Sequence, residues 1–519
     1  MTFRITYSML DADLSALHAQ FDQTLSSVRA RLGAEYPSWI AGTAYRSGDL
    51  LESRNPANPH ELLGRFHRTP ASEVDRVVRV AREAQRAWGA TPWGERVRIL
   101  RRAATLITER RMELAARMTL EVGKNRLESL GDVEEAADLL RYYAGQLEEA
   151  QGFVKPMARL SPNEDTRNVL RPYGVFAVIA PFNFPVALAA GMSAGALLGG
   201  NAVILKPSEE TPWCAEGLYH AFADAGLPPG VFQVVHGEGE SLGAALVRHP
   251  ALDGVTFTGS KAVGMSIHQQ LSTGRARPCL LELGGKNPAI ICRDADLEMA
   301  VEGCYRSAFG LSGQKCSALS RIYVHESLQQ EFITRLAEKA RGVTVGDPSL
   351  ASVYMGPVIN KASVQRFERA AAAARSDGTV HAGGERLRLE GALAEGYFVA
   401  PTVVELAHGH RLMREELFLP FVGVTGFDTL EEALVLANDG EYGLTAGIFS
   451  RKPSDVEAFM DRVEAGVLYA NRRTGATTGA WPGVQSFCGW KSSGSTGKGG
   501  CGPYYVAQFM REQSQTRMG

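Results

Sequence analysis

The stretch Gly313-Gln314-Lys315-Cys316-Ser317 places one thiol between a glycine-containing turn and a serine, just ahead of the apolar, β-branched run Ile322-Tyr323-Val324. Such a thiol is either a small buried hydrophobe or a nucleophile, and the local residues leave both readings open. Two other residues bear on the choice. Glu282, in Leu281-Glu282-Leu283-Gly284-Gly285-Lys286, puts a carboxylate inside an apolar run before a double glycine. Buried, that carboxyl titrates high enough to serve as a general base near neutrality; exposed, it pairs with Lys286. Asn183, in Pro181-Phe182-Asn183-Phe184-Pro185, offers an amide N–H to an oxyanion or closes an Asx turn. No Cys/His cluster has zinc-ligand spacing, and no metal is expected.

A second group of residues suits a nucleotide. Lys206-Pro207-Ser208-Glu209 follows one apolar strand pattern and sets an ammonium beside a carboxylate, a pair able to grip a ribose diol. Gly237-Glu238-Gly239 follows another, where missing side chains let an adenine or phosphate lie on backbone. Phe257-Thr258-Gly259-Ser260 follows a third and opens a helix, with Gly264 one turn in; a hydroxyl and free N–H groups at a helix start suit a pyrophosphate. Each alone reads equally as a turn or cap, but three in succession favour a dinucleotide site. The G-x-G-x-x-G fingerprint is absent.

The elements that position these residues follow from periodicity. Residues 10–33 predict an amphipathic helix through Leu14, Leu17, Phe21, Leu25 and Val28. Short strands are expected over 36–42 and 50–56, then helices near 71–89, 93–121 and 126–150, the first starting at Ser72 with Glu73 and Asp75 in its opening turn. From 175 to 271 buried-type strands alternate with helices, and a second such run spans roughly 288–470, which predicts an α/β fold with parallel sheets. A chain of 519 residues needs two or three domains. A net charge of −2 argues against a nucleic-acid or membrane-surface partner. Seven dispersed cysteines without a C-x-x-C pair point to reduced thiols, the N-terminus lacks a signal peptide's apolar core, and no apolar run spans a bilayer, so a cytoplasmic protein is expected.

In order and spacing, Pro181–Pro185, Lys206–Glu209, Phe257–Ser260, Leu281–Lys286, Gly313–Cys316 and Glu415-Glu416-Leu417-Phe418 resemble the motifs of the aldehyde dehydrogenase superfamily, over nearly the whole chain. The resemblance implies two doubly wound α/β domains with a small β oligomerisation arm: an NAD-binding domain at 1–151 and 174–287 with an N-terminal helical extension, a catalytic domain at 288–471, and an arm at 152–173 and 490–519. It implies Cys316 as nucleophile, Glu282 as the base for the deacylating water, and Asn183 with the Cys316 N–H as oxyanion donors. It also implies NAD as cofactor. Lys206, Glu209 and Glu416 would take ribose hydroxyls, Gly239 the adenine side, Ser260 the pyrophosphate and Phe418 the nicotinamide end, with Ser208, Gly243, Phe257, Gly259 and Gly264 completing that surface. A carboxylate at 209 disfavours a 2′-phosphate, hence NAD over NADP. A homodimer or higher homo-oligomer is implied.

A narrower resemblance concerns the substrate. Residues 36–42, Glu121-Val122-Gly123-Lys124-Asn125, 132–144, Cys316-Ser317-Ala318 and the region 478–491 are similar to the L-glutamate γ-semialdehyde (Δ1-pyrroline-5-carboxylate) dehydrogenases. That subgroup anchors the substrate α-carboxylate on the serine after the cysteine and on N–H groups of a Thr-Gly-(Ser/Ala) loop, here Ser317, Gly479 and Ala480, and sandwiches its stem between two aromatics, here Phe184 and Phe487. The product would be glutamate, through a cysteine thioester, in proline degradation. The chain departs from the pattern at Leu419-Pro420, Ser486 and Cys488, and extra residues create two Thr-Gly-Ala runs, 474–476 and 478–480; the second leads into Gln485-Ser486-Phe487 without a gap. Another small, aromatic or carboxylated aldehyde, a CoA-acylating variant, and an inactive structural relative are the alternatives.

Overall fold

The computed structural model describes residues 14–519. Its frame is two seven-stranded sheets. The first runs, edge to edge, through Cys279–Glu282, Gly254–Thr258, Val175–Ile179, Ala202–Lys206 and Phe232–Val234, all parallel, and ends in antiparallel Ser38–Ile40 and Thr43–Tyr45. The second runs through Thr379–Ala382, antiparallel to Thr402–Glu405, then parallel through Phe421–Phe427, Leu319–His325, Asn287–Ile291, Thr445–Phe449 and Val467–Ala470. Central strands such as Val175–Ile179 and Ala202–Lys206 are buried at every position, as a parallel sheet covered by helices on both faces requires. Their unbroken apolar runs are what made them readable as strands.

Helices match the expected segments with three differences. The N-terminal helix is Ser15–Arg29, docked through Phe21, Leu25 and Val28; residues 10–13 of the expected span lie outside the described residues. The helix near 71 opens with a single tight turn, Ala71–Glu73, behind Pro70, and Ser72 lies inside that turn rather than capping it. The span 93–121 is two helices, Trp93–Glu109 and Arg111–Val122, broken at Arg110 (φ −93°, ψ 9°). No glycine or proline breaks it there; both pieces pack on the long helix Arg126–Glu149, and that packing sets the bend.

A three-stranded antiparallel sheet projects from the body: Val154–Pro156, Glu164–Pro172 and Met510–Met518. The tail expected to join it from residue 490 does so only from Met510. Trp490–Lys491 instead pairs with Tyr442–Gly443, Ser493 and Ser495 bond to the strand carrying Glu282, and Val506 and Phe509 sit in the main core. Among the described residues no helix is long and apolar enough to cross a membrane.

Candidate active site

Cys316 follows the helix Leu297–Phe309 through Leu311, Ser312 and Gly313, three consecutive residues with φ of 50°, 54° and 67°. Left-handed backbone at a leucine and a serine is costly, so surrounding bonds must hold it. They do: Leu311 N–H donates to Glu128 (3.0 Å), the Ser312 hydroxyl to the Gly356 carbonyl (2.9 Å), and Ile359 N–H to the Gln314 amide oxygen (2.9 Å). Position 313 must be glycine, since a Cβ there would lie 2.1 Å from the Leu419 carbonyl oxygen. Asn183 is buried, and its amide donates to the Gln314 carbonyl (2.9 Å), fixing it against this loop two residues before the thiol.

Glu282 ends the strand Cys279–Glu282. The double glycine after it permits two close approaches: a Cβ on Gly285 would sit 2.5 Å from the Cys316 carbonyl oxygen, and one on Gly284 would sit 2.0 Å from a Glu416 carboxylate oxygen. The strand end and the thiol loop therefore meet backbone to backbone, with Asn287 donating to the Cys316 carbonyl (2.7 Å). Glu282 Oε2 and Lys286 Nζ each lack a hydrogen-bonding partner among the described residues, so the surface ion pair between them is not formed. Burial pushes the Glu282 carboxyl up to about 8, against a backbone N–H of Gly500 that holds it down.

Cys316 and Glu282 share a cavity of about 440 Å³, walled also by Ser317, Phe184, Phe487, Gly479 and Ala480. Of the two Thr-Gly-Ala runs, Gly475 and Ala476 are buried, with Ala476 packed on Gly447 and bonded to the Gly303 carbonyl, while Gly479 and Ala480 face the cavity. The groups around the thiol oppose its ionisation. Burial, then the negative charges of Glu416 and Glu282, push Cys316 up to about 12, against the N–H groups of Ser317 and Cys316 itself. Cys488 lies outside the cavity, its thiol turned to the Gly466 carbonyl (3.7 Å), whereas Cys501 lines it.

The residues expected to hold a nucleotide lie outside that cavity: most follow strand ends of the first sheet, and Glu416 and Phe418 come from the segment ahead of Phe421–Phe427 in the second. Lys206 is buried, and its ammonium donates to the Pro207 carbonyl (2.9 Å) and to Glu209 (3.2 Å), whose carboxylate is half exposed. Gly243 packs over the Lys206 stem, and nothing approaches within 4 Å of where a Cβ on Gly239 would stand, which leaves a bare face. Ser260 caps the helix Lys261–Leu271 through Val263 N–H, and Gly264 packs on Leu283. Two expected members act differently. The Phe257 ring is buried in the core against Gly259, so this position offers backbone alone, and the Ser208 hydroxyl accepts from Glu210 N–H within its own turn. Glu416 accepts from Gly285 N–H (2.9 Å), and burial lifts it to about 7 against that bond and the charges of Lys286 and Arg366. Phe418, at φ 57°, stands edge-on to Phe182 with centroids 5.9 Å apart. A half-exposed carboxylate bound to a buried ammonium, beside open backbone, fits NAD, and these residues would hold it.

Motif reading passed over one group. Lys124, fully buried, donates to Asp132 (2.6 Å) and lies 3.7 Å from the centroid of the Phe184 ring, while Asp132 accepts from Ala187 N–H (2.7 Å) at the start of the next helix. A lysine next to a glycine reads as surface; only its packing reveals an ion pair beneath the cavity wall.

Residues 42–514 match the aldehyde dehydrogenase family. The chain belongs to that family. This aldehyde dehydrogenase is 35% identical over 516 residues to a 1-pyrroline-5-carboxylate dehydrogenase of Geobacillus sp. (strain WCH70), covering 98% of each chain. Its structure superposes with a TM-score of 0.93 on 1-pyrroline-5-carboxylate dehydrogenase from Thermus with bound NAD, at 34% identity and full coverage of both chains. A betaine aldehyde dehydrogenase from Staphylococcus aureus in complex with NAD+ superposes with a TM-score of 0.90 at 28% identity, covering 96% of this aldehyde dehydrogenase and 97% of the other chain.

Proposed function

We propose that this enzyme oxidises L-glutamate γ-semialdehyde, the open form of Δ1-pyrroline-5-carboxylate, to L-glutamate with NAD, as a step of proline degradation. The observation that carries the reading is the shared cavity: a thiol, a high-titrating carboxyl with one oxygen unbonded among the described residues, two aromatic walls and a Ser317/Gly479/Ala480 rim in one space of about 440 Å³. A short zwitterionic aldehyde needs donors for its carboxylate and apolar walls for its methylenes, and donors left unpaired would reject aldehydes without a carboxylate. The 35% identity to the Geobacillus dehydrogenase and the superposition on the Thermus enzyme support the same substrate.

In the mechanism, Cys316 sulfur adds to the aldehyde carbon, and the Asn183 amide with the Cys316 N–H takes the developing oxyanion; one such donor lowers a barrier by ~3–4 kcal/mol. Lys206, Glu209 and Glu416 would hold NAD+, which when bound would supply the acceptor for the hydride lost from the carbon. Glu282 then removes a proton from water, which attacks the thioester, releases glutamate and returns the thiol. Because the thiol's own surroundings hold it protonated, its proton must pass to solvent as sulfur attacks, which leaves Glu282 free to act on water. The departures Ser486 and Cys488 favour no other aldehyde, since neither lines the cavity. We place the enzyme in the cytoplasm, on its seven free thiols, and read the projecting sheet as the arm of a homodimer or larger homo-oligomer.

The test is to trap the intermediate. With NAD and the semialdehyde, Glu282→Gln should release about one NADH per site in a burst and then stall. Acid quench at that point should leave an acyl mass on the Cys316 peptide. Sustained wild-type turnover by Glu282→Gln, or an adduct on a different cysteine, would overturn the mechanism.

A further inference from the structure

Arg472 holds two consecutive backbone carbonyls of the loop Thr478–Ala480, and the Ser307 hydroxyl bonds the Thr478 hydroxyl (3.2 Å). The strand Val467–Ala470 ends at Asn471, whose φ of 50° turns the chain, and whose side-chain amide clasps the Ser450 backbone through its N–H (3.0 Å) and carbonyl (2.8 Å). That turn swings Arg472 beneath the loop. Its guanidinium lies 4.7 Å from the centroid of the Tyr469 ring, Nη1 donates to the Thr478 carbonyl (2.5 Å), and Nη2 donates to the Gly479 carbonyl (2.9 Å).

In a trans peptide the C=O and N–H point in opposite directions, and no cis bond is present among the described residues. Drawing these two carbonyls onto the guanidinium therefore turns the N–H groups of Gly479 and Ala480 the other way, toward the cavity that both residues line. Neither N–H meets a protein acceptor among the described residues. Gly479 has φ 94°, and a Cβ there would lie 2.9 Å from Nη2, so glycine is what lets the guanidinium lie flat against the loop. The front of the loop is pinned to the residue beside the nucleophile: the Thr477 hydroxyl donates to the Ser317 carbonyl (2.8 Å), and Thr477 N–H donates to the Ser307 hydroxyl (3.1 Å).

We infer that Arg472 is a positioning residue for the substrate carboxylate, presetting the Gly479 and Ala480 N–H groups as an anion clamp. Its charge also polarises both peptide groups, which makes their N–H ends stronger donors. Without it the loop must be ordered by the ligand, at a cost in affinity. The inference rests on the proposed reading that the substrate carries a carboxylate at this end.

Wild type, Arg472→Ala and Arg472→Lys are assayed with NAD on γ-glutamic semialdehyde and on propanal, and glutarate binding to each resting enzyme is measured by calorimetry. Arg472→Ala should raise both the KM for the semialdehyde and the Kd for glutarate about tenfold, the scale of lost charge-assisted hydrogen bonding. The semialdehyde-to-propanal ratio of kcat/KM should fall with them, and added guanidinium ion should restore part of the loss. Arg472→Lys, whose ammonium lacks the fork, should fall between, and it carries the same comparison if Arg472→Ala does not fold. An equal loss on both aldehydes, or an unchanged glutarate Kd, would overturn the inference. A wild type that prefers propanal while glutarate binding still depends on Arg472 would overturn the substrate reading and uphold the clamp.

Discussion

Enclosure governs the protonation of both groups proposed to do the chemistry, and in opposite senses for their use. It keeps Cys316 a thiol in the resting enzyme, with its titration pushed up to about 12, and it brings Glu282 to about 8, where a carboxylate becomes a useful base. In the proposed mechanism Glu282 works deprotonated, and its raised value means that form is lost as pH falls through about 8. Where deacylation limits turnover, kcat should fall about tenfold per pH unit below that value and level off above it. A pH series of initial rates checks this, and Glu282→Gln should flatten the profile at a lower rate. Cys316, Glu282 and Asn183 stand out in the sequence as candidates because their short motifs are continuous. Lys124 and Arg472 do not, because what each does depends on residues distant in the chain or on which way a peptide carbonyl points.

Among the elements, the helix Arg126–Glu149 links the cavity floor to the rest of the domain through Asp132. That carboxylate joins the Lys124 ammonium, beneath Phe184, to the first turn of the helix Ala187–Leu198. Both side chains are fully buried, so removing one partner strands a charge away from water. Lys124→Met should therefore destabilise the protein by about 3–5 kcal/mol, and a paired Lys124→Met/Asp132→Leu variant should recover part of that. Urea denaturation followed by fluorescence measures both. The parallel strands were readable as continuous apolar runs and the helices as periodic ones. The break at Arg110 was not, since Glu109-Arg110-Arg111 contains nothing that opposes helix and the bend comes from packing on a neighbour.

At the scale of the whole molecule, the projecting sheet leaves the strand Met510–Met518 exposed at every residue after the first, an edge with unpaired backbone groups that a second copy could cover. Deleting residues 511–519 should shift the enzyme to smaller species in sedimentation velocity, with kcat falling less than assembly does. The tail joins this sheet only from Met510, twenty residues after the 490 that the resemblance implies, because the intervening chain is held by contacts with the sheet bearing Glu282 and with the main core. The account as a whole stands on a choice of substrate. The most direct test is NADH formation by the intact enzyme with γ-glutamic semialdehyde, propanal and benzaldehyde in parallel, with Cys316→Ala as control. A kcat/KM for the semialdehyde about a hundredfold above either other aldehyde is expected, the discrimination a site built around buried donors can supply, with no activity in Cys316→Ala. Equal or better use of propanal or benzaldehyde, or turnover surviving in Cys316→Ala, would contradict it.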